Sequence, residues 1–378
     1  MPHLVALDLP GGPGFVEALR REWDHGNAVL PVDRRLPPAA KAALLAAMQP
    51  DRLVDEAGTH TLDGRGVDEG DALVMATSGS TGTPKGVVLT HAAIAASARS
   101  TSEHLAVDRH DTWLACLPLA HVGGLSVVTR ALVTDTKLVV HDGFDATAVQ
   151  QAARDGATLV SLVATALRRI DPALFRTIVL GGSRPPADRP ANTVTTYGLT
   201  ETGSGVVYDG RPLGGVDVRI EPDGEILLRG PMLLRCYRDG TTPLDAEGWL
   251  HTGDLGRWLD DGRLHVDGRR GDMIITGGEN VWPDAVEGVL QGITGVAEVA
   301  VAGVDDAEWG QRVVAWVVPT DSAAPPTLAV LRAAVADRLP AFCAPKEVVL
   351  VDALPRTALG KVQRHALQAS RAAAEGTH

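Results

Sequence analysis

A chain of 378 residues is long enough for two domains with sizeable cores, and 45% apolar residues with a mean hydropathy of +0.05 describe a soluble globular protein and exclude a disordered one. Asp and Glu outnumber Lys and Arg by 47 to 35, a formal charge of −12. No global basic field therefore exists to draw in nucleic acid or an anionic membrane, and a polyanionic ligand has to be held by local positive groups. The three cysteines, Cys116, Cys236 and Cys343, form no C-x-x-C pair, which argues against a zinc site or a disulfide framework. The start MPHLVALDLPGG lacks a basic n-region and a long apolar h-region, and no apolar run approaches the roughly 18 residues of a membrane span, so the cytoplasm is the expected compartment.

Residues 1–70 carry the fewest signals. Pro13 to Trp23 fits a short amphipathic helix and Pro37-Pro38 before AAKAALLAAM a proline-started one, both structural. An apolar strand, Leu73 to Ala76, then enters Thr77-Ser78-Gly79-Ser80-Thr81-Gly82-Thr83, followed by Pro84-Lys85-Gly86 and a second apolar run. Composition makes this a phosphate cradle: glycines admit an anion to the backbone, hydroxyls and N–H groups donate to its oxygens, and a lysine adds positive charge. The spacing is not the Walker pattern, because Lys85 lies three residues after Gly82 and is followed by glycine. On composition alone an ordinary flexible loop is the alternative.

His91 to His104 is alanine-rich and helical in pattern, and TWLACLPLAHVGGL (112–125) reads as a buried strand breaking into a turn at Pro118. In that apolar setting His121 is either a satisfied core residue or a pocket residue. Strands at Lys137 to His141, Thr158 to Val163 and Thr177 to Gly181 alternate with helices at Ala146 to Asp155 and Ala164 to Ile170, the pattern of a largely parallel α/β sheet. Ligands of such sheets bind beyond the carboxyl ends of the strands, where Gly181-Gly182-Ser183 stands either as a glycine turn or as part of a site. Tyr197-Gly198-Leu199-Thr200-Glu201-Thr202 sets an aromatic face, a glycine, a hydroxyl and a carboxylate within six residues. Residues 211–235 alternate around Asp-Gly and Gly-Pro turns as antiparallel strands do, and in GWLHTGDL (248–255) Asp254 follows a Thr-Gly turn, which suits a bidentate grip on two hydroxyls. VAEVAVAGV, QRVVAWVVP and a helix near Thr327 to Leu339 make a small α+β region at the end.

The string T-S-G-S-T-G-T-P-K-G, followed in order by L-P-L-A-H-x-x-G, Y-G-L-T-E, G-W-L-H-T-G-D and P-R-T-A-L-G-K, closely resembles the signature motifs of the adenylate-forming superfamily of acyl-CoA and aryl-CoA ligases, adenylation domains and firefly-type luciferases. The resemblance implies an α/β fold: a large N-terminal domain with a small β-subdomain over 1–270, its front end shortened, and a small mobile α+β domain over 271–378. The hinge falls at Gly271, where the family usually has Asp or Lys. ATP, Mg²⁺ and coenzyme A are the implied cofactors and co-substrates. Thr77, Ser78, Gly79, Ser80, Thr81, Gly82, Thr83 and Lys85 would hold the β- and γ-phosphates. Tyr197 would stack near adenine beside Gly198, Thr200 would contact the α-phosphate, and Glu201 would help hold Mg²⁺. Asp254 would grip the ribose, Arg269 would contact ribose and phosphate, and His121 would help position the reacting carboxylate. Lys361, which by itself reads as a solvated charge, becomes the catalytic lysine. Trp309 and Phe342 occupy positions where related aryl-CoA ligases stack on the CoA adenine, although Trp309 alone fits core packing equally and the arginine that some relatives carry two residues after Phe342 is Ala344 here. Ser161, Gly181, Gly182 and Ser183 are the further substrate-pocket candidates.

The short front end, SLVATALRR (161–169) and TYGLTETGSGVVYDGRPLGGVDVRI (196–220) are similar to the o-succinylbenzoate–CoA ligases of actinobacterial menaquinone biosynthesis. That likeness implies an aromatic dicarboxylic acid as the small-molecule substrate. Another aryl- or acyl-CoA ligase, or a stand-alone adenylation enzyme loading a carrier protein, is the alternative, and the lack of a fused carrier-protein domain favours free CoA. Homodimers are common in the family, and nothing in the sequence marks an interface. A decayed nucleotide sensor is disfavoured because Lys85, Glu201, Asp254, Arg269 and Lys361 are all present.

Overall fold

Segments such as LVAL, AVLP and LVSL are apolar or small at every position and too short for a helix, so they are stable only as strands covered on both faces. In the computed structural model, which describes residues 1–78, 84–182, 185, 188–356 and 362–375, every residue of Leu4–Leu7, Ala28–Pro31 and Leu159–Leu162 is buried. The first sheet runs Cys236–Tyr237, Pro84–Thr90, Asp71–Ser78, Ala28–Pro31, Leu4–Leu7, Arg52–Asp55, Gly58–Thr61. Its centre is parallel, and the Asp71–Ser78 and Pro84–Thr90 strands form an antiparallel hairpin with Thr77 opposite Lys85. The second sheet runs Arg211–Pro212, Ser204–Tyr208, Thr193–Leu199, Thr177–Leu180, Leu159–Leu162, Thr112–Ala115, Lys137–Val140. A four-stranded sheet follows, Asp217–Ile220, Glu225–Arg229, Leu250–Trp258, Leu264–Arg269.

Two compact units result: Met1–Glu221 with Leu227–Thr252 and Trp258–Leu264, and Pro222–Ile226 with Gly253–Arg257 and His265–His378. In the second unit, successive residues of the strand Val296–Asp306 point to opposite faces. Val299 and Val301 join the cluster under the helices Pro283–Leu290 and Leu328–Ala336, whereas Ala300 and Ala302 join Trp316, Leu354 and Leu367 under Arg364–Glu375.

Residues 1–70 do more than supply two helices. The helices Pro13–Asp24 and Pro38–Met48 are crossovers between parallel strands, and this stretch contributes four of the first sheet's strands. Strands of four residues without alternation leave no period to detect. The helix expected over Ala164 to Ile170 spans only Ala164–Leu167.

One buried side chain laces this front end to the hairpin. Arg238 donates from Nε to the carbonyl of Met48 (2.9 Å), from Nη1 to Gly66 (2.8 Å), and from Nη2 to Gln49 (3.1 Å) and Arg65. Burial pushes its pKa down to about 10, and Arg65 beside it acts in the same sense. Met48 and Gln49 close the helix Pro38–Met48, so the guanidinium satisfies carbonyls that the helix end leaves open. The glycine of the Pro-Lys-Gly run serves this packing, because a Cβ at Gly86 would stand 2.5 Å from Met48 Sδ and 2.9 Å from Arg238 Cβ. Replacing Arg238 by Met strands these carbonyls and should cost about 3 kcal/mol or more in urea unfolding, whereas a loss under about 1 kcal/mol would mean that water re-satisfies them.

Candidate active site

The segments at the carboxyl ends of the parallel strands of the second sheet carry His121, Gly181, Gly182, Tyr197, Gly198, Thr200 and Glu201. Thr112–Ala115 leads to His121, which stands at the N-terminal boundary of the helix Val122–Thr134 without a side-chain capping bond. Ser161 is buried on Leu159–Leu162 opposite Val179, and Gly181 follows Thr177–Leu180, its N–H donating to Leu162 at 3.2 Å. A Cβ on Gly181 would meet Thr196 Oγ1 at 2.8 Å, and Gly182 adopts φ +83°, a conformation that favours glycine. Thr193–Leu199 pairs in parallel with Thr177–Leu180 only as far as Thr195, then runs on past that end carrying Tyr197 and Gly198.

The turn after this strand is tightly specified. A bulge between Tyr197 and Gly198 shifts the register against Ser204–Tyr208, and a Cβ on Gly198 would run into the Ser204 carbonyl. The close approach that Gly198 permits is therefore to its own hairpin. Thr200 and Glu201 occupy the short 3₁₀ turn Thr200–Thr202, closed by Thr202 Oγ1, which accepts from the Leu199 N–H at 2.9 Å and donates to the Ser204 carbonyl at 2.6 Å. Below it the fully buried Arg130 donates to Ser204 Oγ at 3.1 Å with its guanidinium 4.7 Å from the Trp113 ring centroid.

The hairpin of Asp71–Ser78 and Pro84–Thr90 meets this turn through Tyr237. Thr77 and Ser78 end one strand and Lys85 begins the other; Gly79, Ser80, Thr81, Gly82 and Thr83 lie outside the described residues, as do Ser183 and Lys361. Lys85 Nζ stands 5.0 Å from the centroid of the Tyr237 ring, and the Tyr237 hydroxyl donates to Glu201 Oε1 at 2.9 Å. Nothing local in the sequence marks Tyr237, which reaches this position only because Cys236–Tyr237 pairs with Val88 and Val87.

His121 meets two front-end residues that sequence reasoning also missed. Its Nε2 lies 3.2 Å from Arg35 Nη2 and 3.4 Å from Asp33 Oδ2, while Arg35 grips Asp33 bidentately at 2.9 and 2.7 Å. Burial raises the Asp33 carboxyl, but the hydrogen bonds and charge of Arg35 outweigh it and hold Asp33 below the usual carboxylate value. For His121 burial is again the largest influence and lowers its pKa, with Asp33 opposing and Arg35 assisting. A neutral ring accepting from Arg35 fits that direction.

In the second unit Arg269 Nε and Asp254 Oδ1 pair at 2.9 Å, so the two residues expected at the ribose hold each other. Gly253 before Asp254 adopts φ +69° and donates to Glu225 Oε1 at 3.0 Å. Gly271 lies in the 3₁₀ turn Arg270–Asp272. Trp309 is 40% exposed against Gly277 with Lys346 Nζ over its face, and does not belong to the core; Phe342 is 36% exposed in the turn Ala341–Cys343. Arg364, three residues after Lys361, is anchored to Asp272, Asp284 and Glu287 at 3.1, 2.5 and 2.9 Å.

An α/β architecture of this kind, with a small α+β portion at its C-terminal end, is the fold of the adenylate-forming enzymes. The AMP-binding enzyme family matches residues 63–238 and the AMP-binding enzyme C-terminal domain matches 285–361. A probable 2-succinylbenzoate–CoA ligase of Mycobacterium tuberculosis is 40% identical over 331 residues, covering 80% of this chain and 85% of that protein. A 2-succinylbenzoate–CoA ligase of Enterococcus faecalis is 35% identical over 337 residues, 79% of this chain and 69% of that one. The solved structure of o-succinylbenzoate CoA synthetase from Bacillus subtilis with the acyl-adenylate intermediate OSB-AMP matches with a TM-score of 0.88 at 28% identity, covering 97% of this chain and 88% of that chain. The chain belongs to the AMP-binding enzyme family.

The lowered pKa of His121 has a consequence for stability. Its folded-state pKa lies below the ordinary histidine value of 6.5, so its contribution is fully present above that pH and is lost as the pH falls through the folded-state pKa. Wild-type stability should therefore fall more steeply than that of His121→Gln between about pH 7 and about pH 5.5 in urea unfolding. His91, also lowered by burial, contributes to both proteins, and equal slopes would show that the His121 ring titrates as in the unfolded chain.

Proposed function

We propose that the chain is an ATP-dependent acid–thiol ligase that converts o-succinylbenzoate to its acyl-adenylate and then to o-succinylbenzoyl-CoA, a step of menaquinone biosynthesis. The observation that carries this reading is the likeness to 2-succinylbenzoate–CoA ligases over four-fifths of the chain. The assembly of Lys85, Tyr237 and Glu201 where the phosphate-loop hairpin meets the Thr200–Glu201 turn supports it. The absence of any helix, among the described residues, long and apolar enough to cross a membrane accords with a cytoplasmic location.

A carboxylate is a poor acyl donor because its leaving group would be oxide. In the first half-reaction the substrate carboxylate attacks the α-phosphorus of ATP, an O–P bond forms, and the bond to pyrophosphate breaks. Catalysis of such a transfer is mainly positioning and neutralisation of charge. Thr200 lies on the turn beside Glu201 and would hold the α-phosphate, with Lys85 and the 77–83 segment on the departing phosphates. Tyr197 and Gly198 would border the adenine, with Asp254 and Arg269 at the ribose and phosphate. Glu201 is half-buried, with one oxygen engaged by Tyr237; a single carboxylate beside a phosphate site suits Mg²⁺, which commonly takes one or two carboxylates plus phosphate oxygens. When bound, that ion neutralises phosphate charge. His121, held neutral, would adjoin the reacting carboxylate, with Ser161, Gly181, Gly182 and Ser183 about the acid.

Lys361 would bridge the carboxylate and phosphate oxygens. In the second half-reaction the C-terminal region would turn about Gly271, withdraw Lys361 and admit CoA past Trp309 and Phe342; thiol attack on the acyl carbon releases AMP. Incubation with Mg-ATP, CoA and o-succinylbenzoate, with benzoate and a medium-chain fatty acid as comparisons, should give AMP and thioester from o-succinylbenzoate alone. Pyrophosphate release without thioester would point to a carrier protein as acceptor. Lys361→Ala should slow adenylate formation by roughly a hundredfold or more, about 3 kcal/mol, while sparing thioester formation from supplied acyl-adenylate. Equal loss in both steps would remove the special role of Lys361.

A further inference from the structure

We propose that Tyr237 is a positioning residue for adenylate formation: its hydroxyl orients the Glu201 carboxylate while its ring face holds the Lys85 ammonium. This rests on the reading of Glu201 and Lys85 given above, and deepens it by naming the group that sets one against the other.

The geometry is specific at both ends. The hydroxyl donates to Glu201 Oε1 at 2.9 Å, which commits one oxygen and leaves the carboxylate turned in a defined direction. Lys85 Nζ lies 5.0 Å from the ring centroid, within the range of a cation–π contact. An aromatic face holds an ammonium without adding a countercharge of its own, so Lys85 stays cationic toward a phosphate. A carboxylate in that place would neutralise it.

Tyr237 is itself held from both sides. Its neighbour Arg238 donates its N–H to Gly86 at 2.7 Å and buries its guanidinium among the front-end carbonyls. Two residues earlier, Arg235 donates its N–H to Val88 at 2.9 Å and grips the buried Asp71 bidentately at 2.8 and 2.8 Å. Leu234 donates its N–H to the Glu201 carbonyl at 2.7 Å. Residues 234–238 thus form a strap between the hairpin and the turn, anchored by backbone to both, with the tyrosine side chain spanning the same junction. Preorganisation of this kind is what a positioning group requires.

Two substitutions separate the two contacts. Tyr237→Phe keeps the ring and removes the hydroxyl; it should raise the Mg²⁺ concentration for half-maximal ATP–pyrophosphate exchange about fivefold, while the ATP KM at saturating Mg²⁺ changes less than about twofold. Tyr237→Leu removes both contacts and should also raise the ATP KM about fivefold. Calorimetric titration gives a readout apart from turnover: Mg²⁺-dependent ATP binding should weaken in both variants, more in Tyr237→Leu, while binding of AMP, which lacks the outer phosphates, stays as in wild type. Wild-type Mg²⁺ dependence in Tyr237→Phe, identical behaviour of the two variants, or equal weakening of AMP and ATP would overturn the proposal. If wild-type protein exchanges no pyrophosphate with any acid offered, the ligase reading fails instead, and the calorimetric comparison still decides the role of Tyr237.

Discussion

The antiparallel ladder between Asp71–Ser78 and Pro84–Thr90 pins both ends of the segment between them, and the surrounding structure is held by reference to that hairpin. One of its edges pairs with Ala28–Pro31, which ties it to the buried parallel strands of the front end; the other pairs with Cys236–Tyr237, which brings Arg235, Tyr237 and Arg238 into place. A chain with a formal charge of −12 has no long-range field to attract a triphosphate. Local geometry has to supply the attraction, and local geometry needs an anchored frame.

The second sheet presents its groups differently. From Thr193–Leu199 to Lys137–Val140 its strands are parallel, so whatever leaves their carboxyl ends is gathered on one side of the sheet. Overrun of Thr193–Leu199 beyond its parallel neighbour, followed by a bulge and a turn closed by Thr202, sets Thr200 and Glu201 in a rigid corner. Arg130 supports this corner from inside the core. Burial lowers its pKa, and stacking on Trp113 with a hydrogen bond to Ser204 offsets part of the desolvation cost.

The front end also reaches the second sheet. Asp33 and Arg35 follow the strand Ala28–Pro31 and meet His121 from the second sheet, so the environment of that histidine is built from both sheets. In the second unit, the ion pair of Asp254 with Arg269 shows the same economy: a carboxylate and a guanidinium on adjacent strands keep one another oriented.

The sequence by itself determined the family, the α/β class and the positions of the motif strings. A phosphate cradle, a Tyr-Gly-x-Thr-Glu turn and a Thr-Gly-Asp turn each need particular residue types at adjacent positions, and contiguous requirements stay legible in a string. Only the tertiary structure decided the partners. Tyr237 lies 36 residues from Glu201, and Arg35 lies 86 from His121. Those meetings follow from the order of strands in a sheet, which no local pattern encodes. Four of the first sheet's strands escaped notice for a related reason, being four residues long and, at the centre, buried on both faces, so that no polar alternation marked them. Gly86 and Gly198 show the limit most plainly: the motifs locate them, but the side chain and carbonyl that a Cβ would strike, Met48 Sδ and the Ser204 oxygen, become neighbours only when the sheets form.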